Sequence, residues 1–278
     1  YGGDEWFELV SWMVERCKEA DVDVWLYDED PFPSGAAGGR LMAEHPEWSA
    51  HKITQHTPDA PIPAGELFHF PAGKLLWCGL VDERTGKTLD LTSRAGMLRQ
   101  RWEVLDPWDS RYYYPNTPRY DSPRAWTCDE HFAVRIPDGI GSMRPFAYLA
   151  EPEVRDNAHW RRLPDSLNPH ATARFIELTH ARYDERLRGE FGETIRAIFT
   201  DEPKVHALRP WTPGMFEAFE SQFGYDLRPE LWRLFGESDA PRARLVRLHY
   251  RQWYAERFRA CWLKPIAQWC AGHDLPLV

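Results

Sequence analysis

The sequence has 278 residues, 43% hydrophobic and 28% charged, with 34 basic against 43 acidic side chains and a formal net charge of −9. That balance excludes a nucleic-acid backbone as the main partner, because such a partner needs a basic footprint, and the absence of an apolar run of about 18 residues excludes a helical membrane span. The five cysteines, Cys17, Cys78, Cys128, Cys261 and Cys270, form no CxxC pair, so a metal–thiolate site is excluded as well.

The first predicted element is a helix, since Trp6, Val10, Met13 and Cys17 recur at helical spacing. After a charged break, residues Val22 to Tyr27 are short, β-branched and aromatic, and read as a buried strand. A loop rich in acids, prolines and glycines follows from Asp28 to Gly39. Between residues 50 and 152 the helical period vanishes, and 11 of the 23 prolines fall there among short alternating runs such as Leu75–Val81 and His131–Ile136. This stretch reads as an inserted β-rich subdomain.

Helix and strand then alternate again. Asn168 and Pro169 suit the N-cap and first position of a helix whose apolar face is Phe175, Ile176, Leu178, Tyr183 and Leu187. Ile195–Thr200 is the next strand, running directly into Asp201-Glu202-Pro203. A helix from Thr212-Pro213 ends at Gly224. A long helical pattern covers Pro241 to about Gly272, with a kink expected at Pro265, and residues 275–278 read as a closing strand. The chain opens at Tyr1 rather than Met and stops on a strand-like run, so a longer parent protein is expected and localisation stays open.

Helix–strand alternation with loops at strand ends implies an α/β fold with a parallel sheet. Periodicity alone leaves an open sheet and a (β/α)8 barrel both possible. The organisation expected is 1–49 as the first barrel units, 50–152 as the insertion, and 153–278 as the continuation, truncated at a strand. Residues 22–27, 195–200 and 275–278 are expected as parallel neighbours. No GxGxxG or P-loop follows a strand, which weakens a nucleotide-binding reading.

Two constellations carry candidate chemistry. Asp28, Glu29 and Asp30 repel one another unless sugar hydroxyls, arginines or a hard cation such as Ca²⁺ neutralise them. The same loop offers Ser34 and Gly35 for close approach to a ligand, and a solvated acidic turn is the plain alternative. At the later strand end, Asp201 and Glu202 stand where barrel enzymes place catalytic carboxylates. Glu202 is the candidate proton donor and Asp201 its supporting neighbour, set against a structural acid ion-paired to Lys204 or Arg209. His206 and Trp211 complete the candidate substrate-binding set. The histidines form no HExxH and there is no GxSxG. The 14 tryptophans supply flat faces that suit sugar rings, although such rings also fill cores.

At these motifs the sequence resembles bacterial glycoside hydrolases of the family 106 type, the α-L-rhamnosidase-like group. The resemblance runs through Tyr27–Gly39, Asn168–Tyr183 (NPHATARFIELTHARY), Ile198–Pro203 (IFTDEP) and Trp211–Phe235, in the family's order and over about a third of the chain. It implies a (β/α)8 TIM-barrel-type catalytic domain with accessory β-domains, action on plant or microbial polysaccharide, inverting α-L-rhamnosidase chemistry, calcium near the site, and a secreted or periplasmic location. His170 departs from the glutamate of the family pattern. The family's barrel also continues past the end of this chain, which leaves room for the second catalytic carboxylate beyond Val278. Two rival readings remain open: a non-catalytic carbohydrate-binding or structural fragment of the same fold, and a metal-assisted hydrolase of another substrate.

Overall fold

A computed structural model describes residues 1–30, 32–104, 125–154 and 162–278. Pro31 of the acidic loop and residues 105–124 of the Pro-rich stretch lie outside the described residues, as do residues 155–161. In chain order the elements are α1 (Asp4–Glu19), β1 (Val24–Tyr27), α2 (Arg40–Glu44) and β2 (His51–His56). Six strands follow: β3 (Leu67–Pro71), β4 (Lys74–Asp82), β5 (Lys87–Asp90), β6 (Gly96–Val104), β7 (Ala125–Arg135) and β8 (Arg144–Pro152). Then come α3 (Pro169–Leu178), α4 (His180–Leu187), β9 (Ile195–Phe199), β10 (Pro210–Trp211), α5 (Met215–Phe223), α6 (Trp232–Phe235), α7 (Pro241–Phe258) and α8 (Lys264–Ala271). The fold is mixed α/β, divided into two compact units, residues 1–54 with 150–278 and residues 55–149.

In the first unit β1 and β9 pair in parallel, Tyr27 opposite Phe199. Residues 275–278 lie parallel on the other side of β9, where the Ile198 amide donates to Pro276 and the Thr200 amide to Val278. The expected parallel neighbours are therefore present. No closed barrel forms among the described residues; the parallel arrangement consists of these three segments. Leu26, Ile195 and Ile198 are packed with Phe7, Val14, Phe175, Tyr183, Trp262 and Ile266 from the surrounding helices.

Several helices depart from the sequence expectation in ways that have local causes. In α1 the buried side chains are Phe7 and Val14, whereas Met13 is exposed, so the core face is rotated from the Trp6–Met13 row. β1 is not the buried strand expected: only Leu26 is buried and Trp25 is 58% exposed, because β1 sits at the edge of the parallel set. The helix expected from Asn168 is two helices. Asn168 caps the first as predicted, its side chain accepting from the His170 amide, but Thr179 leaves the helical region and its hydroxyl donates to the Phe175 carbonyl, 2.7 Å away. The long C-terminal pattern is interrupted by a π-helical segment at Arg259–Leu263. Pro265 lies just beyond it, and the wider turn makes room for a residue that lacks an N–H and crowds the carbonyl of the preceding turn. α5 starts at Met215 behind a left-handed Gly214 and stops at left-handed Gly224.

In its described residues the second unit is β-rich, with one short 3-10 turn at Thr92–Arg94. β3, β7 and β6 form one antiparallel sheet, and β4 pairs antiparallel with β5. β3 alternates exposed and buried residues, turning Phe68 and Phe70 inward onto Cys78, Leu80, Val134 and Leu149. No helix of the described residues is long and apolar enough to cross a membrane.

Candidate active site at two parallel strand ends

Because β1 and β9 are parallel neighbours in register, the residues following them emerge at the same end. The Asp28 amide still donates to the Phe199 carbonyl at 3.2 Å. Beyond that point the loops are joined through Ser34. Its amide donates to the Asp201 carbonyl at 3.0 Å, and its hydroxyl accepts from the Asp201 amide at 2.9 Å while donating to Asp28 Oδ1 at 2.6 Å. One serine thus uses both faces of its hydroxyl to bind the two candidate constellations together.

Glu29 is 1% exposed and organises the loop from within. Its carboxylate accepts the amide hydrogens of Asp30, Gly35, Ala36, Ala37 and Gly38, at 2.5–2.9 Å. Burial pushes the Glu29 carboxyl up from its ordinary value, and the amide donors pull it back. The fold of this loop depends on glycine at two points. Gly35 has φ +138°, and a Cβ there would meet the Trp262 ring at 3.2 Å; Gly38 has φ +66° and lies against Tyr1.

Asp28 is fully buried. Its second oxygen, Oδ2, has no hydrogen-bond partner and lies 3.9 Å from His180 Nε2, which is equally buried and equally without a partner. His180 Nδ1 is 2.8 Å from the Thr179 hydroxyl. That hydroxyl spends its own hydrogen on Phe175, so Nδ1 carries the imidazole proton and Nε2 faces Asp28 with a lone pair. Burial pushes the Asp28 carboxyl up to about 7, with the Ser34 and Thr200 hydroxyls opposing it. Burial, helped by His273, pulls His180 down to about 3. Tyr183 closes the same region by donating to the Tyr27 carbonyl at 3.0 Å. The sequence marks Tyr183 only as part of a helix's apolar face and assigns His180 no role; the one local signal is the Thr179-His180 helix break, and nothing in the sequence pairs it with Asp28.

The expectation that Asp28, Glu29 and Asp30 together hold Ca²⁺ does not fit this geometry. Asp28 points toward His180, Glu29 is filled by backbone amides, and Asp30 is exposed. No group of three His, Cys, Asp or Glu side chains suited to a metal ion occurs among the described residues. For the same reason Asp28 and Glu29 do not present carboxylate oxygens to a substrate.

The later loop is built in the opposite sense. Glu202 is exposed, its carboxylate 3.4 Å from Lys204 Nζ, and Lys204 in turn lies over the Phe32 ring at 5.9 Å. Its backbone is left-handed, φ +41°, a conformation that costs a residue with a side chain about 1 kcal/mol or more. Asp201 is half-buried. The Glu202 side chain is 64% exposed. His206 and Trp211 are both buried, at 8% and 6% exposure, and Trp211 makes a T-shaped contact with His51 at 5.8 Å, so burial limits what its ring can offer a ligand. Of the expected set, Asp28, Ser34, Gly35 and Asp201 meet directly around the loop junction, with Glu202 at its open side.

No protein-family model and no curated protein matches the chain. Among solved structures it matches a rhamnosidase from Novosphingobium sp. PP1Y at 22% identity and a TM-score of 0.36, over 68% of this chain. The chain spans 16% of the length of that rhamnosidase.

Proposed function

We propose that this chain is part of a glycoside hydrolase of the α-L-rhamnosidase-like type, with a barrel-type catalytic domain, acting on plant or microbial polysaccharide. Glu202 is its general acid, and Asp201 holds the loop that presents it. The observation that carries the reading is the Ser34–Asp201 junction, which fixes two strand-end loops together and leaves Glu202 as a solvent-facing carboxylate at the end where barrel enzymes do chemistry. The left-handed backbone at Glu202 supports it, since strained residues persist where the surrounding structure over-determines them, often at functional sites. Glycoside hydrolysis requires a second carboxylate, which this reading leaves unassigned.

The test is hydrolysis of rhamnosides and natural oligosaccharides by the protein and by Glu202→Gln. The variant should fold and bind sugar normally, and should lose activity most on substrates with poor leaving groups, which depend most on protonation. Near-normal turnover of a natural glycoside by Glu202→Gln would remove Glu202 from the mechanism. A second reading, carbohydrate binding without turnover, draws on the internal use of Asp28 and Glu29, which leaves the junction poor in free carboxylates. It predicts sugar binding with no hydrolysis of any glycoside.

A further inference from the structure

In the first unit, arginine is most often found beside a carboxylate. Arg228 lies against Glu217 and Asp226, and Arg233 and Arg242 against Glu230. Arg209, Arg247 and Arg251 differ: among the described residues none has a carboxylate partner. They converge on a cavity of about 110 Å³ that also takes in Tyr250 and Tyr254 and, among the described residues, has no acidic lining residue. At ~15 Å³ for one water, this is room for several waters or a sugar-sized ring.

The cavity is pre-arranged. Arg247 is anchored by donating to the carbonyls of Arg233, Gly236 and Ser238 at 2.6–3.2 Å. Arg209 uses Nε on the Leu234 carbonyl at 3.2 Å and stacks on Phe235 at 4.2 Å, which leaves its two terminal nitrogens available. Arg251 follows Arg247 by one helical turn on α7 and is exposed. Tyr250 is buried and fixed by donating to the Pro210 carbonyl at 2.6 Å, with Tyr254 edge-on to it at 5.5 Å. In a protein of net charge −9, three guanidinium groups with no carboxylate partner among the described residues form a local positive field. Guanidinium forks match planar oxyanions in two-point hydrogen bonds, and tyrosine rings offer an apolar surface to a sugar ring.

We propose that this cavity binds a carboxylated sugar, a hexuronate whose carboxylate is taken by Arg209 and Arg251 and whose ring lies on Tyr254. The anionic part stands on the arginines alone; the sugar part rests on the carbohydrate reading above. Binding needs no turnover, so the two stand or fall separately.

The experiment is calorimetric titration of the full chain with galacturonate, galactose and inorganic phosphate. Galacturonate should bind at least ~10-fold more tightly than either galactose or phosphate. Arg251→Ala, on an exposed helix face, should weaken galacturonate ~10-fold or more with an unchanged melting temperature. Arg209→Lys, which keeps the charge and loses the fork, should weaken it as well and covers the event that truncation at position 209 disturbs folding. Equal affinity for galactose and galacturonate overturns the proposal, as does unaltered binding by Arg251→Ala. Phosphate binding as tightly as galacturonate overturns it too, since the cavity would then be an anion site with no preference for a sugar. Galacturonate binding retained in Glu202→Gln, whether or not any glycoside is hydrolysed, separates this site from the proposed catalytic one.

Discussion

The two acidic loops at the parallel strand ends use the same residue type in opposite ways. In the loop after β1, the carboxylates of Asp28 and Glu29 are buried and turned inward, one toward Ser34 and His180 and the other onto five backbone amides. In the loop after β9, Glu202 is exposed, its visible partner a single lysine. The first loop has converted charge into architecture: Glu29 is tolerated in burial because donors surround it, and Asp28, with the Ser34 hydroxyl as donor, because burial favours its protonated form. The second has kept its charge facing water, where a ligand can reach it. A run of acids after a strand is therefore not itself a sign of chemistry. What separates the two loops is how many donors the local backbone turns toward each carboxylate.

The sharpest way to break this contrast is to remove the internal acceptor. Glu29→Ala strands five amides, four of them in the tightly folded run from Gly35 to Gly38. With each buried unsatisfied donor costing ~1–3 kcal/mol, the expected loss is upwards of about 3 kcal/mol in urea denaturation, or failure to fold. A loss below ~1 kcal/mol would show that the loop does not depend on Glu29.

The Asp28–His180 contact gives the next largest effect, and its sign can be worked out. The Asp28 carboxyl is raised from 3.8 to about 7 in the fold, so the native state holds its proton longer than the unfolded chain does. Its contribution is fully present below 3.8 and is lost as pH rises through about 7. His180 is lowered from 6.5 to about 3, so its contribution is present above 6.5 and is lost as pH falls toward 3. Between about pH 4 and 6.5 the slopes of these two groups oppose and largely cancel each other. Measured as the difference from wild type, the stability of Asp28→Asn should climb with pH across this window and that of His180→Gln should fall, each difference approaching ~1.4 kcal/mol per pH unit at its steepest. Asp165, raised to about 6 by burial, is common to all three proteins and drops out of the difference. Differences from wild type that slope the same way in the two variants would contradict the environments assigned here. Ser34→Ala should cost less than Glu29→Ala in urea denaturation, since it leaves two groups unpaired rather than five, Asp28 Oδ1 and the Asp201 amide, at ~1–3 kcal/mol each.

How much of this was legible follows from which interactions are local. The parallel placement of the strands could be read because a β-branched or aromatic run followed by acids is a contiguous signal, and the stop of α5 could be read because left-handed Gly224 is a single-residue one. The core face of α1 could not, since apolar residues lie on more than one side of the helix and the row through Phe7 and Val14 competes with that through Trp6 and Met13. At the site, the strand-end position of Asp201 and Glu202 was visible. The inward turn of Asp28 and Glu29 was not, because it depends on the loop folding back on itself and on a histidine far along the chain. The small, fully buried Ala36 and Ala37 were the overlooked clue: a solvated or ligand-binding turn has no need of two buried methyl groups beside its glycines.

The smallest effect bears most directly on function. Glu202 occupies left-handed backbone, φ +41°, although it is exposed and makes a single lysine contact. If stability alone governed the position, glycine would be favoured, because it enters that region without a steric penalty. Glu202→Gly should accordingly leave the protein as stable as wild type or raise its stability by up to ~1 kcal/mol, the relief of strain being partly offset by the freer unfolded chain. Glu202→Gln retains the Cβ, so it should show no gain. A stabilised Glu202→Gly that has lost hydrolysis would mean that the strained glutamate is kept for its carboxylate, as the exposed loop requires. A Glu202→Gly that is destabilised by more than ~1 kcal/mol would mean that this side chain, like that of Glu29, supports the structure, and the contrast between the two loops would be lost.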